Sequence, residues 1–244
     1  MLTFFRRIRK GLLGSGQARL NGSSGRARKY TFYAIGEIAL VVIGILIALQ
    51  INNWNEYQKN SAQEKRYLND LVRDLTQDSI NLTDIFQIFE EGVESKRKLE
   101  IFLNSPGSSI DSAAYHVTNQ WDATHDFIPQ STTMEELKSS GKLDLISSIE
   151  LRRKLVGLYN IYEELIRKLK LGDGKSQELI DIISKEAYNI AQLSEEEAYR
   201  LIRDPYFTNK VRLNYYYTQY SWCDRSLESC KNVLALLRNE LSKK

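Results

Sequence analysis

One stretch of the chain has no polar face. From Thr31 to Ile51, twenty-one residues carry a single charge, Glu37. At 1.5 Å per residue, a helix of about 20 residues covers the roughly 30 Å hydrocarbon core of a bilayer. Tyr30, Phe32 and Tyr33 stand at one end and Trp54 beyond the other, the placement of interfacial aromatic belts. A cleavable signal peptide is the competing reading. Against it, the apolar run exceeds the usual h-region of about 7–15 residues and no Ala-x-Ala-like site follows. The pattern predicts a transmembrane helix over residues 30–52.

Beyond this stretch the apolar positions recur at helical spacing. Asn52 to Leu103 has no proline, and Leu68, Leu71, Leu75, Leu82, Ile85, Phe89, Val93, Leu99 and Phe102 keep mostly to steps of three and four. This predicts one long helix growing from the span, curved or broken once, and ended by Asn104-Ser105-Pro106-Gly107. Ser108 to Gln130 is the least regular part. Ser131-Thr132-Thr133 with Glu135 and Glu136 reads as a helix start, closed by Ser140-Gly141. Ser148 opens the next helix, with Leu155, Leu158, Tyr159, Tyr162, Leu165, Ile166 and Leu169 on one side and a stop at Gly172-Asp173-Gly174. Ser176 to Gln192 is read as a further helix. Ser194-Glu195-Glu196-Glu197 starts a short one that Asp204-Pro205 breaks. Phe207 to Leu241 is read as the last long helix, with a near-heptad, coiled-coil-like stripe from Leu213 through Tyr220, Cys223, Leu227 and Cys230 to Leu241.

No stretch alternates with strand period. The expected fold is all-α: one N-terminal transmembrane helix continuing into an extracytoplasmic bundle of long helices. The domains expected are a basic cytoplasmic tail (1–29), the transmembrane helix (30–52) and a periplasmic helical bundle (53–244). About 190 residues remain after tail and span, enough for a sizeable core.

Charge orients this arrangement. Residues 1–29 carry eight cations and no acid, while the whole chain is +3, leaving −5 for residues 30–244. Cationic flanks stay cytoplasmic, which places the N-terminus inside and the bundle in the periplasm of a bacterial inner membrane. The basic balance is thus local and gives no case for nucleic acid. Met1–Leu13 alternates apolar residues with cations, as a short amphipathic helix on an anionic leaflet or a plain topology signal would.

Candidate chemistry is sparse. Gly44 and Ala48 form a small-xxx-small pair, with Gly36 and Ala39 a few turns earlier, so a second helix could approach there. Leu40, between Gly36 and Gly44, holds such a partner away. Glu37 is either a tolerated polar residue near the interface or a proton- or ion-linked carboxylate. Cys223 and Cys230 lie seven apart, about 10.5 Å on a helix and too far for a mutual disulfide; they read as small core residues or as partners of another helix or chain. His116, Asp122, His125 and Asp126 fit no metal-ligand spacing. The Gly11, Gly14, Gly16 pattern lacks the strand and Gly-Lys-Ser/Thr ending of a nucleotide loop. Tyr215, Tyr216, Tyr217, Tyr220 and Trp222 are core and interface aromatics or a sugar- or peptide-binding platform. None of this calls for a cofactor or a metal.

The segments FFRRIRKGLL, YAIGEIALVVIGILIALQINNWNE, ELKSSGKLDLI (136–146) and ELRRKLVGLY (150–159) together resemble an uncharacterised bacterial family, DUF6090, common in Bacteroidota. The resemblance implies an integral membrane protein with a helical outside domain and brings no activity with it. The expected function is non-enzymatic: assembly, scaffolding or sensing, with the lipid bilayer and a homo-oligomer or membrane-complex partner met through Gly36, Glu37, Gly44 and Ala48. The alternative is an ion- or proton-coupled accessory subunit using Glu37; a hydrolase or metal enzyme built on the 108–130 loop is the weakest reading.

Overall fold

A computed structural model of the chain describes residues 23–105, 109–120 and 125–243, with side chains from Tyr30 onward. The readings of Met1–Leu13, of the Gly11, Gly14, Gly16 pattern, of Pro106-Gly107 and of Asp122 fall outside the described residues. All regular elements among the described residues are helical: α1 (Ser23–Asn104), α2 (Ala113–Thr118), α3 (Thr132–Ser139), α4 (Ile149–Glu186), α5 (Glu195–Arg203), α6 (Pro205–Arg212) and α7 (Tyr216–Ser242). Two 3-10 turns, Lys142–Leu145 and Ile190–Gln192, join them. The chain divides into two compact units, Met1–Lys59 and Asn60–Lys244.

In the first unit every side chain from Tyr30 to Lys59 is exposed. Ile35, Val41, Ile45 and Ile47 each show more than half of their surface on a helix apolar all round. Among the described residues, this is the helix long and apolar enough to cross a membrane by length and composition.

The second unit is built around two cores. In the larger one, Leu68, Leu71, Leu75 and Phe89 of α1 meet Leu155, Tyr162 and Leu165 of α4 and Cys223, Leu234 and Leu237 of α7. Each such side chain contributes about 1.5–3 kcal/mol by leaving water, more than helix propensity supplies for these segments. α4 and α7 run antiparallel: Gln219 reaches the Leu169 carbonyl, while Cys230 sits beside Tyr162. The smaller core joins Leu99 at the end of α1 to Ala113 and Val117 of α2, Leu179 and Ile183 of α4, Leu201 of α5 and Phe207 of α6.

The capping chemistry sets several ends as expected. α1 stops at Asn104. Ser148 accepts the Leu151 N–H at the start of α4. Ser194 and Glu197 form a reciprocal capping box on α5.

Four segments differ from the pattern-based expectation. α4 does not stop at Gly172-Asp173-Gly174 but runs on to Glu186. A Cβ at residue 172 would overlap the Gln219 amide of α7, so this glycine serves a close helix approach. Its helix-propensity cost of about 1 kcal/mol is set against packing. The helix expected to reach Gln192 therefore ends at Glu186, with a separate turn after it. The helix expected over 207–241 is two helices, broken at Leu213–Tyr215, and Leu213 is 66% exposed. The irregular segment from 108 contains α2.

Candidate functional site

Gly36, Glu37, Gly44 and Ala48 lie on α1 in the first unit, and all four are exposed. Steps of eight and four put Gly36, Gly44 and Ala48 in one row along the helix. Leu40 stands in that row and is 56% exposed. A Cβ on Gly36 or Gly44 would meet nothing within 4 Å, so those two positions are open, whereas Leu40 fills the step between them. Glu37 is one residue, about 100°, away from Gly36 around the helix.

In the second unit, polar groups of α1 seat the segment from Phe127 to Ser147. Glu64, 4% exposed, accepts both the N–H and the hydroxyl of Ser147 at 2.7 and 2.8 Å. The Tyr67 hydroxyl donates to Glu136 at 2.6 Å, and Thr133 donates to Asp74 at 2.5 Å. Asp78 is fully buried: Oδ1 accepts the Gln130 N–H at 2.8 Å, whereas Oδ2 has no partner among the described residues. Burial pushes its pKa up to about 6; the Asp74 charge adds to this and the Gln130 hydrogen bond opposes it. The Tyr162 hydroxyl lies between the Asp78 carboxyl and the Cys230 thiol. Tyr159 donates to the Gln130 carbonyl at 3.0 Å.

Both cysteines are free and buried. Burial pushes the Cys230 thiol up to about 11 and the Cys223 thiol up to about 12. Such thiols are poor nucleophiles, and the pair fits the reading as small core residues.

A second polar cluster stands where the two cores adjoin. Lys96 is 2% exposed. Its Nζ donates to the Asn214 Oδ1 at 2.7 Å and to the carbonyls of Arg212 and Asn214 at 3.3 and 3.4 Å. The same ammonium lies 4.8 Å from the Tyr217 ring centroid and 3.9 Å from Glu100. Burial lowers its pKa and Glu100 opposes that. The Asn214 amide donates to Gln120, which donates to the His116 carbonyl. The two carbonyls that Lys96 holds belong to the break between α6 and α7, where helix ends leave acceptors unpaired.

Among the described residues, the loop candidates do not gather into one site. His116 is buried in α2 with Nδ1 3.2 Å from the Ser95 hydroxyl, and burial lowers its pKa. His125 packs edge-on against Phe89 at 6.2 Å, and its Nε2 is buried without a partner among the described residues. Near it stands Asp173, whose pKa is raised by burial and then by Asp126. Among the described residues, no three His, Cys, Asp or Glu side chains gather as metal ligands. The aromatic group from Tyr215 is dispersed rather than a platform. Tyr216 is buried against Phe89, Tyr220 stacks on Phe86 at 5.0 Å, and Trp222 lies under Arg225.

Among the buried polar residues that pattern reading misses, which include Glu64 and Gln219, Asp78 and Lys96 carry a signal in the sequence. Both stand in register with the apolar stripe of α1, between Leu75 and Leu82 and between Phe89 and Leu99. A charge in that register is either buried or breaks the face.

The model of a family of unknown function, DUF6090, matches residues 37–217, about three quarters of the chain. The chain belongs to the DUF6090 family. The match takes in most of the apolar stretch of this DUF6090 protein, all of α2 to α6 and the first residues of α7. It therefore covers Glu37, Gly44, Ala48, Asp78 and Lys96. No curated protein and no solved structure matches the chain.

Proposed function

We propose that this DUF6090 protein is a single-span protein of the bacterial inner membrane. Its unit 60–244 works in the periplasm without catalysis, in assembly, scaffolding or sensing. The observation that carries the reading is the stretch Thr31–Ile51, apolar and exposed on every face of α1. In water that surface would be a large liability; in a bilayer it is the required solvent contact. The eight cations before it support the orientation. A non-catalytic role is supported by the second unit, where buried Glu64 and Lys96 are engaged in hydrogen bonds that hold helices and loops in place. The Gly44 and Ala48 pair, at one end of the row that begins at Gly36, supports contact with a second span, a further copy or another membrane subunit.

Tyr188 is fully exposed, so Tyr188→Cys reports the compartment. In intact cells a membrane-impermeant maleimide is expected to label it. Labelling only after lysis would overturn the periplasmic placement. In the same membranes, oxidation of Ala48→Cys is expected to trap a dimer, because the native thiols are buried. Monomer alone, at unchanged helix content, would remove pairing of like spans through this row.

A further inference from the structure

The second unit carries a surface suited to the membrane itself. Leu143, Ile149, Arg152, Arg153 and Val156 line a shallow groove between the 3-10 turn 142–145 and the first turns of α4. Its apolar part is open, with Ile149 58% exposed. Two guanidiniums stand on its wall. Arg152 pairs with Asp144 through Nη1 only, and its Nε is buried without an acceptor among the described residues. Arg153 and Lys154 are exposed.

The region is locally cationic within an acidic unit. Residues 138–156 hold five cations and two acids. Residues 60–244 as a whole sum to −4, since the chain is +3 and residues 1–29 and 30–59 contribute +8 and −1. A cationic segment with exposed apolar side chains is the composition that binds anionic interfaces: the hydrocarbon enters the headgroup boundary and the cations meet phosphate.

The position in the unit is also suitable. Glu64, four residues after the unit begins at Asn60, binds Ser147 at the edge of this region. Eight residues, all within α1, separate Ile51 from Asn60.

We infer that the groove formed by Leu143, Ile149, Arg152, Arg153 and Val156 docks on anionic lipid headgroups of the membrane that holds the chain. The inference rests on the single-span reading. Docking gives the unit a preferred face toward the bilayer and makes its position depend on lipid charge. The Asp144 carboxylate competes for Arg152, so the contact needs an anionic surface and is weakened by salt.

The full chain, reconstituted into phosphatidylcholine vesicles with or without phosphatidylglycerol, tests this. A fluorophore on Ile149→Cys or Tyr188→Cys reports quenching by a headgroup nitroxide lipid, with the buried native thiols unlabelled. Quenching is expected to be several-fold stronger at 149 than at 188 when phosphatidylglycerol is present. Salt, or Arg153→Glu with Lys154→Glu, is expected to reduce it to the level at 188, whereas Arg153→Lys with Lys154→Arg preserves it. Both positions are exposed, and unchanged helix content checks that the fold persists. Equal quenching at the two positions in chain that resists alkaline extraction would overturn docking and leave the span reading intact. Chain lost on extraction would overturn both. Crosslinking between copies at position 149, with no lipid quenching there, would overturn docking and assign the groove to a second copy.

Discussion

Replacing Lys96 with methionine is expected to cost about 2–4 kcal/mol of stability and to loosen the smaller core first. The ammonium is 2% exposed and serves three oxygens at the break between α6 and α7. Methionine keeps much of the aliphatic stem, so little packing is lost. What is lost is the donor, and an acceptor left buried and unpaired costs about 1–3 kcal/mol. Arg212 is exposed, which lets water reach part of the site and keeps the total below a full sum of three such terms. For a chain of this size the melting temperature should fall by about 2–4 °C per kcal/mol. Hydrogen exchange supplies the more specific readout. Amides of α6 and the first turn of α7 should exchange faster, while those near Leu155 to Leu165 keep their protection. An unchanged melting temperature and unchanged exchange would show that water replaces the ammonium at no cost.

The same residue explains which parts of this fold were legible in the sequence. The stripe of α1, the start of α4 at Ser148 and the box at Ser194 and Glu197 are written within a few residues of where they act. Local pattern and capping rules therefore reach them. The carbonyls at the break at 213–215 are held by Lys96, more than a hundred residues earlier in the chain. Gly172, inside α4, lies against Gln219 of α7, where a Cβ would not fit. Neither partner is adjacent in sequence, and glycine is read correctly as a stop only when no other helix needs the space. The candidate residues of the span divide in a similar way. Gly36, Gly44 and Ala48 fall in one row because of spacing alone. What occupies the row is a property of the surroundings and not of the chain.

Asp78→Asn is expected to stabilise the protein by about 2–3 kcal/mol at pH 8 and to leave it nearly unchanged at pH 4. The carboxyl is fully buried and its pKa is raised from 3.8 to about 6 in the folded chain. A raised pKa means that the native state holds its proton more tightly than the unfolded state does. Stability from this group is thus complete below pH 3.8, declines as pH rises between about 4 and 6, and stays lost above that window. At about 1.4 kcal/mol for each tenfold change in proton affinity, the rise to about 6 corresponds to about 3 kcal/mol. Asparagine is close in shape and stays neutral at every pH; its Oδ1 can still accept the Gln130 N–H. Its amide can also donate to the Tyr162 hydroxyl, which lies beside this position. Denaturant melts from pH 4 to pH 8 should show the wild-type chain losing stability relative to the variant across the window, on top of any slope that other groups give to both. Parallel slopes in the two proteins would assign the pH dependence to other groups. A variant less stable than wild type at pH 8 would show that the ionised carboxylate holds Gln130 more strongly than burial opposes its charge.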